Sequence, residues 1–134
     1  MENYNLATDL KVFGIPVTKF PLGIGEAFDE LSKVLPNGNQ RPYYGVSECT
    51  KQGIVYKATT LEMFDGEGKK YGYDDYLVEK GEYLAVTVFD WIKKTDSIKS
   101  VFEEMFKDDR SDRSKPCVEI YKSDTEMVCL VKVK

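Results

Sequence analysis

The order in which strand and helix patterns follow one another is the feature that most restricts the fold. The order is strand, helix, strand, strand, and it occurs twice, within about residues 10–62 and about residues 71–134. Two such units can join into one curved antiparallel sheet with both helices packed on one face. We therefore expect an α+β fold of duplicated βαββ units, with residues 1–134 forming a single domain and the other face of the sheet left open for a ligand groove.

Apolar spacing predicts the individual elements. Two helices are indicated by apolar residues at i, i+3, i+4 and i+7 spacing, one within residues 24–35 and one within residues 95–106. Strands are predicted at residues 10–20, 41–48, 53–61, 82–91, 116–122 and 127–134, with a loop at 65–70 and a less regular strand from 71. We expect Val46, Val86 and Ile120 to be buried beneath the helices.

Composition excludes several classes of function. The net charge is −4 and the lysines are scattered, which disfavours direct nucleic-acid binding. The chain has no histidine, so Ser-His-Asp and Cys-His nucleophile systems and most zinc sites are ruled out. No metal, cofactor or membrane segment is expected. The chain has three cysteines, an odd number without the spacing of a disulfide or metal motif, and no signal-peptide pattern. Both features favour a cytoplasmic protein.

The strand at residues 116–122 holds the main candidate for a functional residue. Alternation places Val118 and Ile120 on one face, and Cys117, Glu119 and Tyr121 on the other. Glu119 is either a solvated carboxylate on an exposed sheet face or an acid that lines a groove. In a groove, a partly buried carboxylate beside tyrosines would attract a cation by charge, and the rings would add cation–π attraction.

Further aromatic residues are expected on the face that carries Glu119. The chain has nine tyrosines, more than a core of this size needs. Tyr43, Tyr83 and Phe89 are predicted to line the groove or to cover the sheet, and Trp91 either caps the core or flanks the groove. Cys117 has no basic neighbour two positions away, so it is expected to line the groove without acting as a nucleophile. No residue is assigned a catalytic role.

Two short motifs carry a resemblance to a known family. The run Lys80-Gly81-Glu82-Tyr83-Leu84-Ala85-Val86 is similar to that family's G-x-Y-A-V strand, and Pro116 to Tyr121 is similar to its P-x-x-E-I-Y strand. In this order, around a predicted helix, the motifs resemble the GyrI-like effector-binding domains of AraC-type and MerR-type multidrug regulators, which also occur as stand-alone proteins. The resemblance covers residues 10–134, and the chain departs from the regulators in having no recognisable DNA-binding segment.

The resemblance implies a groove between two βαββ halves that binds hydrophobic, often cationic, small molecules, with Glu119 matching the acidic residue at its floor. We expect a stand-alone binding module that serves drug sensing, sequestration or transcription regulation. Its macromolecular partner is either a separate protein or a second copy of the chain. One alternative is a hydrolase that uses Glu119 to activate water on electrophilic, cyclopropane-type toxins. Another is an interaction protein whose groove takes a segment of its partner.

Overall fold

The fold was analysed in a computed structural model, which describes residues 1–18, 23–51 and 53–134. Eight strands form one antiparallel sheet, and their order across it is β1-β6-β8-β7-β3-β4-β2-β5. The strands are β1 (Glu2–Leu6), β2 (Leu10–Val17), β3 (Tyr43–Thr50), β4 (Gly53–Leu61), β5 (Asp74–Val78), β6 (Gly81–Phe89), β7 (Cys117–Tyr121) and β8 (Glu126–Lys132). The helices are α1 (Ile24–Val34), α2 (Glu67–Lys70) and α3 (Ile98–Phe106), with 3₁₀ turns at Gly38–Gln40 and Trp91–Ser97.

The predicted α+β class is confirmed. Trp91, predicted to end a strand, instead begins a 3₁₀ turn, and the other main differences lie outside the two predicted βαββ units. β1, at one edge of the sheet, was not predicted, and the segment expected to be a loop at 65–70 contains the short helix α2. Residues 19 and 20, the predicted end of the first strand, lie outside the described residues. Among the described residues, no helix is long and apolar enough to span a membrane.

Both main helices pack on the same face of the sheet. Leu31 of α1 lies in a cluster with Phe13 and Tyr56, and Met105 of α3 lies in a cluster with Leu84 and Cys129. We call this the helix face. The strands alternate as expected, because residues two apart in β6, such as Leu84, Val86 and Val88, pack in the same cluster under α3.

The opposite face of the sheet buries an apolar cluster of its own. β5 and β6 stand near opposite ends of the strand order but are joined by only Glu79 and Lys80, so the sheet must curl to bring them together. The hydroxyl of Tyr83 donates a hydrogen bond to the Glu79 carbonyl across this junction. The concave face then packs on itself, with members from both halves: Val12, Tyr44, Val46, Val78, Tyr83, Ala85, Val118, Val128 and Leu130.

This second cluster corrects one prediction. Val86 does lie under the helices, but Val46 and Ile120 belong to the concave cluster on the opposite face. The prediction assumed that apolar residues would choose the helix face. Because the curled sheet buries apolar side chains on both faces, alternation alone does not tell which of the two faces lies under the helices.

The two predicted halves meet at the centre of the sheet, where β3 pairs with β7, and again where β5 pairs with β2. Gly45 and Glu119 each stand three residues after a proline, Pro42 and Pro116, in the strand that follows the main helix of each predicted unit, and they are direct cross-strand partners at the β3–β7 pairing. β2 and β6 also share one sequence of buried and exposed positions over their first eight residues. The duplication stays a prediction, and these two observations support it.

Candidate functional site

Glu119 lies at the centre of the sheet and on the helix face. Its neighbours across the ladder are Gly45 on β3 and Cys129 on β8. The residue is only 8% exposed, which is unusual for a glutamate. The first alternative considered for Glu119, a solvated carboxylate, is therefore inconsistent with the structure.

Two tyrosine hydroxyls bind the carboxyl group of Glu119. The Tyr56 hydroxyl donates to Glu119 Oε1 over 2.6 Å, and the Tyr121 hydroxyl donates to the same oxygen over 2.8 Å. The two hydroxyl oxygens are themselves 2.9 Å apart. We call Glu119, Tyr56 and Tyr121 the acid–tyrosine cluster. It links the two halves of the chain, since Tyr56 belongs to β4 and the other two residues belong to β7.

Gly45 provides the space for this cluster. A Cβ atom at this position would overlap the Tyr56 hydroxyl and the Glu119 carboxyl oxygen. Both groups therefore occupy the space that a side chain on β3 would fill. Because Gly45 has no side chain, the hydroxyl of Tyr56 can reach across β3 to Glu119 on β7. A glycine in the interior of a strand has a packing reason here.

Burial controls the electrostatics of the cluster. Removal from water raises the pKa of the Glu119 carboxyl, and the hydrogen bonds from Tyr56 and Tyr121 lower it in part. Burial and the nearby carboxylate together raise the pKa of both phenols and raise that of the Cys129 thiol to about 12. Among the described residues, no basic side chain contributes to the pKa of Glu119, so this acid has no fixed counter-charge.

Aromatic rings cover the cluster from both helical segments. Phe28 of α1 packs edge-on against Tyr121, with ring centroids 5.2 Å apart, and against Tyr43 at 5.8 Å. Trp91, from the 3₁₀ turn that precedes α3, packs edge-on against Tyr121 at 5.0 Å. The indole of Trp91 is positioned by a hydrogen bond from Nε1 to the Ser123 carbonyl. A ligand that reached the carboxylate would have to pass these rings.

The structure brings together most of the predicted site residues. Tyr121 binds Glu119, Trp91 packs against Tyr121, Tyr43 is the cross-strand partner of Tyr121, and Cys117 lies on the same face of β7. These five residues lie on the helix face, between α1 and α3. They were expected on the face away from the helices, so their predicted face is wrong although the grouping around Glu119 holds; the ligand groove stays a prediction.

Two predicted residues lie elsewhere. Tyr83 belongs to the concave cluster, where it lines a cavity of about 20 Å³ with Val46 and Val118. Phe89 follows the same alternation along β6 and is 60% exposed. Neither is near Glu119, because β6 turns these positions away from the helices.

Sequence reasoning missed Tyr56 and Phe28. Phe28 was assigned to the core by its helical spacing, and Tyr56 was treated only as part of a strand. A signal for Tyr56 exists in the register: it pairs with Ser47, two positions from Gly45, so a large polar ring faces a gap on the adjacent strand. That register is known only once the strands are paired.

Among the described residues, no group of three or more cysteine, aspartate or glutamate side chains is placed to hold a metal ion. What remains is one buried carboxyl group, two hydroxyl groups and several ring faces and edges. This combination offers charge and cation–π attraction to an organic cation, and a site for proton transfer.

Neither a family model nor a curated protein matches the sequence. Solved structures with the same fold do exist. An integron cassette protein from the mobile metagenome of Vibrio cholerae has a TM-score of 0.73 at 12% identity, covering 99% of this chain and 95% of its own. SAV2435 bound to tetraphenylphosphonium has a TM-score of 0.69 at 14% identity, covering 100% and 94%.

A third structure, a candidate bacterial transcription regulation protein from Staphylococcus aureus, has a TM-score of 0.67 at 13% identity, covering 99% of this chain and 97% of its own. These likenesses extend over nearly the full length of both partners in each comparison. At such low identities, what this chain shares with the three proteins is their fold.

Proposed function

We propose that this protein binds hydrophobic cationic small molecules at the acid–tyrosine cluster, between α1 and α3, as a domain of the GyrI-like type. The observation that carries the proposal is the buried carboxyl group of Glu119, which is 8% exposed and accepts hydrogen bonds from two phenols. Aromatic rings surround it, and among the described residues no positively charged side chain is paired with it. Such a group costs free energy to bury, and a bound cation would recover part of that cost.

The comparison with SAV2435 supports the choice of ligand class. That protein has the same fold and was solved with tetraphenylphosphonium, a large aromatic cation. The rings of Phe28, Tyr121 and Trp91 beside the carboxyl group offer apolar surface, and their faces would attract a cation. Binding of such a ligand could serve drug sensing or transcription regulation. The likeness to the Staphylococcus aureus transcription regulation protein supports this role.

The proposal is tested by exchanging Glu119 for glutamine, which keeps the shape and removes the charge. Binding of tetraphenylphosphonium should weaken by about 1–3 kcal/mol, the scale of a charge-assisted contact. Binding of triphenylphosphine oxide, a neutral analogue, should change far less. Both titrations are followed by quenching of Trp91, the only tryptophan in the chain.

Glu103→Gln is the matched control, because Glu103 is an exposed acid on α3 and its replacement changes the net charge by the same amount. It should leave both affinities unchanged. If Glu119→Gln binds the cation as well as the parent does, the carboxylate has no role in binding. If both ligands lose affinity equally, the effect is one of shape.

One observation favours a second function, hydrolysis of an electrophilic ligand. As a carboxylate, Glu119 can take a proton from water while that water forms a bond to an electrophilic carbon and the bond from this carbon to the opening group breaks; its raised pKa makes it the stronger base. The hydroxyl of Tyr121 can protonate the opening group and then recover its proton from the carboxyl group of Glu119. Incubation with a cyclopropane-type electrophile, followed by mass spectrometry, separates the two functions. Recovery of unchanged compound supports binding alone, whereas a product gained by addition of water and lost in Glu119→Gln supports the hydrolase.

A further inference from the structure

The hydrogen bonds of the acid–tyrosine cluster allow its protons to be counted. The Tyr56 hydroxyl, the Tyr121 hydroxyl and Glu119 Oε1 form a triangle with sides of 2.6, 2.8 and 2.9 Å. All three lengths lie in the range of O–H···O hydrogen bonds. Each phenol has one proton to donate, so an ionised carboxylate leaves three contacts with only two protons.

A carboxylic acid at Glu119 supplies the missing proton. The carboxyl O–H then donates to one hydroxyl, that hydroxyl donates to the other, and the second donates back to Oε1. Each oxygen gives one hydrogen bond and receives one. In the ionised form, one pair of oxygens in a buried site would face each other without a proton between them, which is unfavourable.

The surroundings of Glu119 favour the same neutral form. Among the residues that the structure describes, the titratable groups that face it are Tyr56 on β4, Tyr121 and Cys117 on β7, Cys129 on β8 and Tyr43 on β3. None of these carries a positive charge. The charged side chains of the two segments that cover the site are all exposed. They are Glu26, Asp29, Glu30 and Lys33 on α1, and Lys93, Lys94 and Asp96 on the 3₁₀ turn that carries Trp91.

We infer that Glu119 is a carboxylic acid in the ligand-free protein at neutral pH, and that the site exchanges this proton for a hydrophobic cation. The second half of the inference rests on the proposed function. On exchange, the O–H bond of the carboxyl group breaks, the proton passes to bulk water, and the carboxylate pairs with the cation. Both phenols then donate to the carboxylate, and the buried site carries no net charge in either state.

The first half is tested without any ligand, by infrared difference spectroscopy of the parent against Glu119→Gln at pH 7. The parent should show the carbonyl band of a protonated carboxyl group, well separated from the bands of ionised carboxylates, and the variant should lack it. Glu103→Gln should keep the band. If the parent has no such band at pH 7, the inference is wrong.

The second half is tested by calorimetric titration with tetraphenylphosphonium in two buffers of different ionisation enthalpy, which counts the protons released. We expect close to one proton for each cation bound at a pH below the pKa of the carboxyl group. Affinity should rise by about tenfold for each pH unit there and level off above that pKa. Glu119→Gln should release none.

The outcomes separate this inference from the proposed function. Binding of tetraphenylphosphonium without proton release, at affinities that do not change with pH, would overturn the exchange while leaving the proposed function intact. Absence of binding would remove the proposed function and the exchange together, and the infrared band would still decide whether Glu119 is protonated.

Discussion

Glu119, considered as a single residue, depends on partners from both halves of the chain. Its burial raises its pKa, and the hydroxyl groups of Tyr56 and Tyr121 oppose this by donating to the ionised form. Gly45 makes the contact with Tyr56 sterically possible. The acidity of the carboxyl group is therefore a property of three strands, β3, β4 and β7, more than of the glutamate alone.

Tyr56→Phe should raise the pKa of Glu119 further, because one donor to the carboxylate is lost. A raised folded-state pKa means that the native state holds a proton that the unfolded state releases above about pH 4.3. The free energy of unfolding attributable to Glu119 is thus greatest at low pH, and it falls as the pH rises through the folded-state pKa. In Tyr56→Phe this fall should continue to a higher pH than in the parent.

The measurement is urea unfolding between pH 4 and pH 9, with each protein compared with its own Glu119→Gln derivative. Tyr43→Phe is the control, because the Tyr43 hydroxyl donates to the Gly38 carbonyl and makes no contact with Glu119. Its pH profile should match that of the parent. A parent whose stability relative to Glu119→Gln rises with pH would contradict the raised pKa.

At the scale of elements, the short helix α2 depends on one buried ion pair. Arg41, just before β3, donates from Nη1 to Glu67 Oε2 over 2.9 Å, and its Nη2 also bonds Glu67 and, over 3.0 Å, the Leu61 carbonyl. The side chains of Arg41 and Glu67 are 4% and 2% exposed. This pair lowers the pKa of Glu67 and joins α2 to the ends of β3 and β4.

Glu67→Gln should destabilise the fold by about 3–5 kcal/mol, because it leaves a buried guanidinium without its partner. Urea unfolding at pH 7 measures this loss. Glu104→Gln is the matched control, since Glu104 pairs with Lys107 on the surface of α3 and both side chains are about 70% exposed. It should cost less than about 1 kcal/mol. Equal effects of the two changes would mean that the buried pair has no special role.

At the scale of the whole molecule, the two halves share one sheet and one site. The β3–β7 pairing and the Tyr56–Glu119 hydrogen bond both cross between the halves. The concave cluster also takes residues from each half, with Val12 and Val46 from the first, and Tyr83 and Leu130 from the second. Neither half therefore has a complete core without the other.

Unfolding should accordingly be a single cooperative transition. Trp91 fluorescence reports the second half, and far-ultraviolet circular dichroism reports the whole sheet, so the two urea midpoints should coincide. The slope should be about 1–3 kcal/mol per molar urea, as is usual for a small domain. Two separated transitions would contradict our prediction that residues 1–134 form one domain.

The sequence alone determined the local features of this protein. Period-two alternation correctly grouped Cys117, Glu119 and Tyr121, and β4 and the beginning of α1 lie where the patterns predicted them. These features depend on backbone geometry and on neighbours within a few residues. Short-range physics is therefore enough to predict them.

Only the tertiary structure decided which face of the sheet would carry the site. Val46 and Ile120 were expected under the helices, yet they pack on the concave face. Their neighbours Gly45 and Glu119 therefore lie on the helix face. Alternation states which side chains share a face but not which face is covered by helices. That depends on how the sheet curls and on pairings between residues far apart in the chain, and the 63-residue separation of Tyr56 from Glu119 is the clearest case.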